Sequence, residues 1–196
     1  MDTVKRQRVF DQYIDQYQPV ITLTLTALRA NRNNLHIPYA QFLFSMIDYY
    51  GLLYTVATTR YYNKRDTQNF KGFFASNYFP LMDRCKGSFL YFIRNGLIHQ
   101  IFSKASSVGT SPEDKLFFED TANGDIAAMN LNYFDKVTIA AVDSFISDLK
   151  TNATYIDNLF DILITTNYGF NDHTELATEI TNSFGGDTNK IFEDCT

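Results

Sequence analysis

From Phe134 to Leu163 the apolar residues Phe134, Val137, Ala141, Phe145, Leu149, Ala153, Ile156, Phe160 and Leu163 follow one another at intervals of three or four without exception. A strand cannot use that rhythm, whereas a helix turns it into one apolar stripe. Tyr39, Leu43, Met46, Tyr50, Leu53 and Ala57 step in the same way. Two long amphipathic segments therefore set the fold class as all-α. Chain breakers are scarce enough to allow it: nine Gly and four Pro stand among 196 residues, roughly 7% where about 12% is usual. Eighteen Phe and thirteen Tyr, with no Trp, predict a core dominated by rings.

The second series is one helix or two, because Thr151-Asn152-Ala153-Thr154 is a plausible interruption. Asn132 and Asp172 read as N-caps, the latter with Glu175 as its capping-box partner. Near the N-terminus, Val4 to Gln18 reads as helix, and Pro19 suits the first turn of another. Residues Ile21 to Thr26 alternate as a strand would, yet helix is preferred there. Asp66 or Thr67 can cap a short helix through Phe70, Phe73, Phe74 and Tyr78, ended by Pro80. Ser103 to Ser111 reads as a polar loop. Lys115–Glu119 and Ile126–Leu131 flank Asn123-Gly124, which predicts a β-hairpin inserted between helices near 115–131.

Charge is divided along the chain. Residues 1–104 carry 13 Lys+Arg against 6 Asp+Glu, and residues 105–196 carry 4 against 16. The net charges of +7 and −12 describe either two solvated surfaces that partly face each other or a basic face for a polyanion. Two cysteines allow neither a disulfide framework nor a four-Cys zinc site. Three scattered His add no metal-ligand spacing. No stretch has the roughly 18 apolar residues of a membrane span, and no signal-peptide core is seen. A soluble cytoplasmic protein without membrane association is expected.

The chemistry concentrates in Ser88 to Phe102, whose centre reads Arg94-Asn95-Gly96-Leu97-Ile98-His99. Asn-Gly between apolar runs is a hairpin signal. The rival is a buried helix from about 81 to 102, with Cys85, Phe89, Phe92, Ile93 and Leu97 facing inward and Gly96 costing about 1 kcal/mol relative to Ala. Pattern alone leaves both open.

Arg94 to His99 resembles the Arg-(four to six residues)-His signature of HEPN domains, including the Asn that commonly follows the Arg. Phe70-Lys71-x-Phe73-Phe74 and Tyr78-Phe79-Pro80 resemble, more weakly, the segment before that motif in some members. The resemblance spans about residues 35–168, and its sharp part is the six-residue motif. It implies an up-and-down helical bundle, usually a homodimer, with the motif on a long helix; many members cut RNA without a metal, some in defence or toxin-like systems, and others have lost catalysis. The chain then divides into N-terminal helices (1–34), a motif-bearing core (35–104), a loop and hairpin insertion (105–131) and C-terminal helices (132–196), all within one domain.

On this reading Arg94, His99 and Asn95 are the candidate catalytic residues, with RNA as substrate and no cofactor or metal. Imidazole moves protons near neutral pH, and guanidinium stabilises charge on phosphate oxygens. On a helix, Arg94 and His99 lie about 140° and about 7.5 Å apart, so they do not share a stripe. Asn95 and His99 do. The two motifs of a dimer can instead meet, so that Arg94 of one subunit serves His99 of the other. Each residue also has a plainer role: His99 as a packing residue, Arg94 as the ion-pair partner of Asp48, Asn95 as a structural amide, Gly96 as an allowance for close helix packing. Arg60, Lys64, Arg65 and Lys71 are weaker candidates for RNA binding, beside the aromatic Tyr61-Tyr62. His36 and His173 read as residues at helix starts. Tyr two positions after the motif His, typical of relatives modified by adenylylation, is replaced by Ile101. A non-catalytic module that binds RNA, a nucleotide or a partner protein is the alternative.

Overall fold

The computed structural model describes residues 2–62, 66–100, 107–120 and 125–165, and for 66, 98–100, 107, 120, 125 and 126 the backbone alone. The chain is mostly helical with one small sheet. Its α-helices are α1 (Thr3–Phe10), α2 (Gln18–Ala30), α3 (His36–Thr59), α4 (Asp66–Phe74), α5 (Gly87–Gln100), α6 (Leu131–Thr151) and α7 (Ala153–Leu159). Strands β1 (Ser107–Gly109), β2 (Phe117–Asp120) and β3 (Asp125–Asn130) lie between α5 and α6.

Helix α3 is the centre. Its predicted stripe, Tyr39 to Ala57, is buried along its whole length. A second row, Ala40, Phe44, Ile47 and Gly51, is buried beside it, so α3 meets neighbours on two faces. Helices α4, α5, α6 and α7 all pack on it. Rings fill the space between: Phe44 lies 5.0 Å from Phe134, Phe73 lies 5.7 Å from Phe145, and Phe74 lies 4.4 Å from Phe79. The closest approach is at Gly51. A Cβ there would stand 2.7 Å from the Asn69 carbonyl oxygen, so α3 and α4 are in backbone contact.

The long C-terminal series is two helices. Asn152 leaves helical geometry (φ −91°, ψ 103°), ends α6, and starts α7 by accepting a hydrogen bond from the Tyr155 N–H at 3.2 Å. The residue before α6 is Asn130, not the expected Asn132. Its side chain does not cap. Fully buried, it accepts from Ser111 N–H and donates to the Glu113 carbonyl, which ties the 111–116 loop to the sheet. Asn132 instead accepts from Arg32 Nη1. Asp172, Glu175 and His173 lie outside the described residues.

The hairpin forms as expected in pairing: β2 runs antiparallel to β3, with Phe117 opposite Met129. Asn123 and Gly124 lie outside the described residues. Part of the expected polar loop proves to be strand, because β1 pairs in parallel with β3 and makes β3 central. Three residues with a single apolar one, Val108, carry no periodic signal, so only the long-range partner reveals that strand.

Three other expectations are corrected. The first helix ends at Phe10 and passes into a wider π-helical stretch, Asp11–Asp15, before α2, which has Pro19 in its first turn. Helix α4 stops at Phe74, so Tyr78 belongs to the turn that follows. The motif helix starts at Gly87, after a 3₁₀ turn at Arg84–Lys86, and its inward face is Leu90, Ile93 and Leu97. Cys85 is exposed, and Phe89 and Phe92 are 41% and 42% exposed. A stripe of five apolar residues from 85 to 97 is wider than the face that α3 can cover. Residues 21–26 are helical, and His36 opens α3 at the surface.

Candidate functional site

Arg94 to His99 lies within one continuous helix, so the hairpin reading of Asn95-Gly96 does not hold. Helix α5 packs against α3, and polar groups of α3 reach it at two levels one stripe apart. Gln41 Nε2 donates to the Leu97 carbonyl at 2.6 Å. Seven residues on, two turns along the same face, Asp48 meets Arg94.

The Asp48–Arg94 contact is the best-built polar feature of the seam. Arg94 Nε and Nη2 both donate to Asp48 Oδ2, at 3.0 and 2.7 Å. Arg94 Nη1 donates to Asn95 Oδ1 at 3.0 Å. The guanidinium carbon lies 5.3 Å from the centre of the Tyr91 ring, and Lys71 Nζ lies 5.7 Å from it. Arg94 is 9% exposed. One arginine is therefore fixed by a carboxylate, an amide and a ring, each suited to a planar, delocalised cation. The arrangement orients the guanidinium and neutralises it at once.

Position 99 falls on the stripe of α5 that carries Ser88, Phe92 and Asn95, and the His99 side chain is outside the described residues. Asn95 is half-buried and holds Arg94 rather than standing alone. Gly96 is buried in α5. A close approach of helix backbones is seen at Gly51.

The weaker RNA-binding candidates are dispersed. Arg60 ends α3 in left-handed geometry (φ 56°) and donates from Nη2 to Asp161 Oδ2 at 3.0 Å. Lys64 and Arg65 lie outside the described residues. Of the two described candidates, Lys71 stands near the motif, through Tyr91. The division of charge has a structural expression here. Lys5 pairs with Asp157, Arg29 with Asp135 and Arg60 with Asp161, so basic residues of the first half repeatedly meet acidic residues of the second. That is the reading of two facing surfaces.

Sequence reasoning singled out Asp48 only as a partner for Arg94 and overlooked Tyr91 and Gln41. The signal for both was spacing: Tyr91 precedes Arg94 by three, and Gln41 precedes Asp48 by seven. Among the described residues no group of three or more His, Cys, Asp or Glu is placed to hold a metal ion. No described helix is long and apolar enough to cross a membrane. Comparison with protein-family models, with curated proteins and with solved structures returned no match.

Proposed function

We propose that the face of α5 bearing Arg94, Asn95 and position 99 is a metal-independent endoribonuclease site of HEPN type, completed in a homodimer. The supporting observation is that the motif runs along one unbroken helix with its arginine already oriented by Asp48 and Asn95. Preorganised cations act best where charge develops in a transition state. In the reaction the RNA 2′-hydroxyl attacks the adjacent phosphorus, His99 moves the protons, and Arg94 stabilises the charge on the non-bridging oxygens. The products are a 2′,3′-cyclic phosphate and a 5′-hydroxyl. The exposed Phe89 and Phe92, stacked at 6.3 Å on the same helix, suit burial against a second copy. A defence or toxin-like setting fits such an activity.

A second reading rests on the burial of Arg94. An arginine that is 9% exposed and neutralised by Asp48 serves the α3–α5 seam, and the module then binds RNA, a nucleotide or a partner protein without turnover.

Cleavage of single-stranded RNA by purified protein in chelator separates the two. His99→Ala lowers the rate by roughly 10²-fold or more if His99 transfers protons. Arg94→Lys keeps the charge and loses the fork, and falls well below wild type. Equal residual cleavage in wild type and His99→Ala marks a contaminating nuclease and leaves the binding module. Light scattering that gives a 22.6 kDa monomer removes the shared site.

A further inference from the structure

Between α4 and α5 the chain makes a turn that is fastened at both ends. At one end Phe79 is buried against Phe73 and Phe74. At the other, the fully buried Asp83 accepts from Lys86 Nζ at 2.7 Å and from Tyr133 Oη of α6 at 2.8 Å. The Asp83 N–H closes the turn on the Pro80 carbonyl at 2.9 Å. Between these anchors Leu81 and Met82 project 77% and 67% exposed. They stand at the rim of an open cleft of about 630 Å³, whose opposite wall is α6, with Val137 and Ala140 lining it. That volume is within the usual range of roughly 300–1,000 Å³ for small-molecule sites.

Two cations and one carboxylate, Arg84, Lys136 and Asp114, line the same cleft. Arg84 is half-buried, donates through Nε to the Phe79 carbonyl at 2.9 Å, and has no carboxylate partner among the described residues. Lys136 is held by Asp114 at 2.9 Å, but both side chains are largely exposed. An exposed pair of this kind contributes between about 0 and 1 kcal/mol, so Lys136 turns to another anion at little cost. The wall therefore offers apolar surface and a fixed guanidinium, with a second cation within call.

The geometry points to a binding site for a small amphipathic anion: an apolar chain against Leu81, Met82, Val137 and Ala140, and a terminal carboxylate or phosphate monoester against Arg84 and Lys136. This site is separate from the α3–α5 seam and does not depend on RNA chemistry.

Methyl-methionine NMR tests it, because Met82 is at the rim, Met129 is in the core, and Met46 lines a nearly all-apolar groove between α2 and α3. Octanoate is expected to shift the Met82 methyl saturably, with Kd on the order of 1 mM or tighter, and to leave Met46 and Met129 in place. Octyl phosphate run beside it tells a phosphorylated chain from a carboxylic acid. Octanol binds about tenfold or more weakly, and inorganic phosphate leaves Met82 unmoved. Arg84→Gln weakens octanoate binding about tenfold. Unchanged Met46 and Met129 signals report that the variant is folded, and Lys136→Gln, at an exposed position, repeats the test by itself. The proposal is overturned if Met82 shows no saturable shift, if octanol matches octanoate, if neither charge variant weakens binding, or if Met46 responds in place of Met82.

Discussion

Asp48 and Asp83 both lie in the basic half of the chain and both hold a cation, the first half-buried and the second fully buried. Asp48 is on the central helix and meets a cation 46 residues away, itself almost fully buried. Asp83 is in a turn and is satisfied by Lys86, three residues on, whose ammonium still touches water, and by the Tyr133 hydroxyl. The first arrangement leaves the largely buried Arg94 without its carboxylate when Asp48 is lost. The second leaves a hydroxyl without its acceptor, while the lysine returns to solvent. Two carboxylates with similar hydrogen-bond distances thus have unequal consequences.

Asp48→Ala is expected to have the largest effect on stability. It removes the carboxylate that holds Arg94 in the seam, leaving its amide and ring contacts, and should cost about 3 kcal/mol, the low end for breaking a buried pair, read by urea unfolding. The double change Asp48→Leu with Arg94→Met should restore stability or raise it; a double variant as unstable as the single one would show that the seam needs its charges. Asp83→Ala is expected to cost less, about 1–3 kcal/mol, because only the Tyr133 hydroxyl is left buried without a partner.

Tyr133→Phe sharpens the same contrast through pH. Burial, then the hydrogen bond to Asp83, pushes the Tyr133 phenol from 10.0 up to about 12. The folded state thus keeps a proton that the unfolded chain loses near pH 10. The contribution of Tyr133 is intact below pH 10 and is lost as pH rises to about 12, following linkage. The stability gap between wild type and Tyr133→Phe should shrink over that window, measured by denaturation at stepped pH. A constant gap would mean that the phenol titrates as it does in water. The smallest effect is expected at the exposed Arg60–Asp161 pair, where a double-mutant cycle should give a coupling below about 1 kcal/mol that fades with salt.

How far the sequence spoke for itself varied with the kind of order involved. Helices α3 and α6 were legible because a stripe repeated at three and four needs no knowledge of its partner. Even the break at Asn152 was visible, since Asn suits a cap better than a helix interior. The second buried row of α3 was not, because Ala40, Phe44 and Gly51 are buried by what surrounds them. For the same reason Phe89 and Phe92 read as core although α3 covers only part of α5. The π-helical stretches at Asp11–Asp15 and Phe160–Ile164 have no spacing of their own to read. At the candidate site, Asp48 was one acidic residue within reach of Arg94 because it lies on the helix that packs beside the motif, whereas Tyr91 and Lys71 came together only through the fold.

Gly51 has a consequence for motion. With no side chain between them, α3 and α4 touch backbone to backbone at Asn69, and packed surfaces that close have no lubricating layer of rotatable groups along which to slide. The pair is packed too closely there for a side chain to be inserted between them. Residues 75–86, which leave α4 and turn back into α5, therefore start from a fixed base. That connection also forms the rim of the cleft holding Leu81 and Met82, so a molecule seated there touches the chain that leads directly into the motif helix.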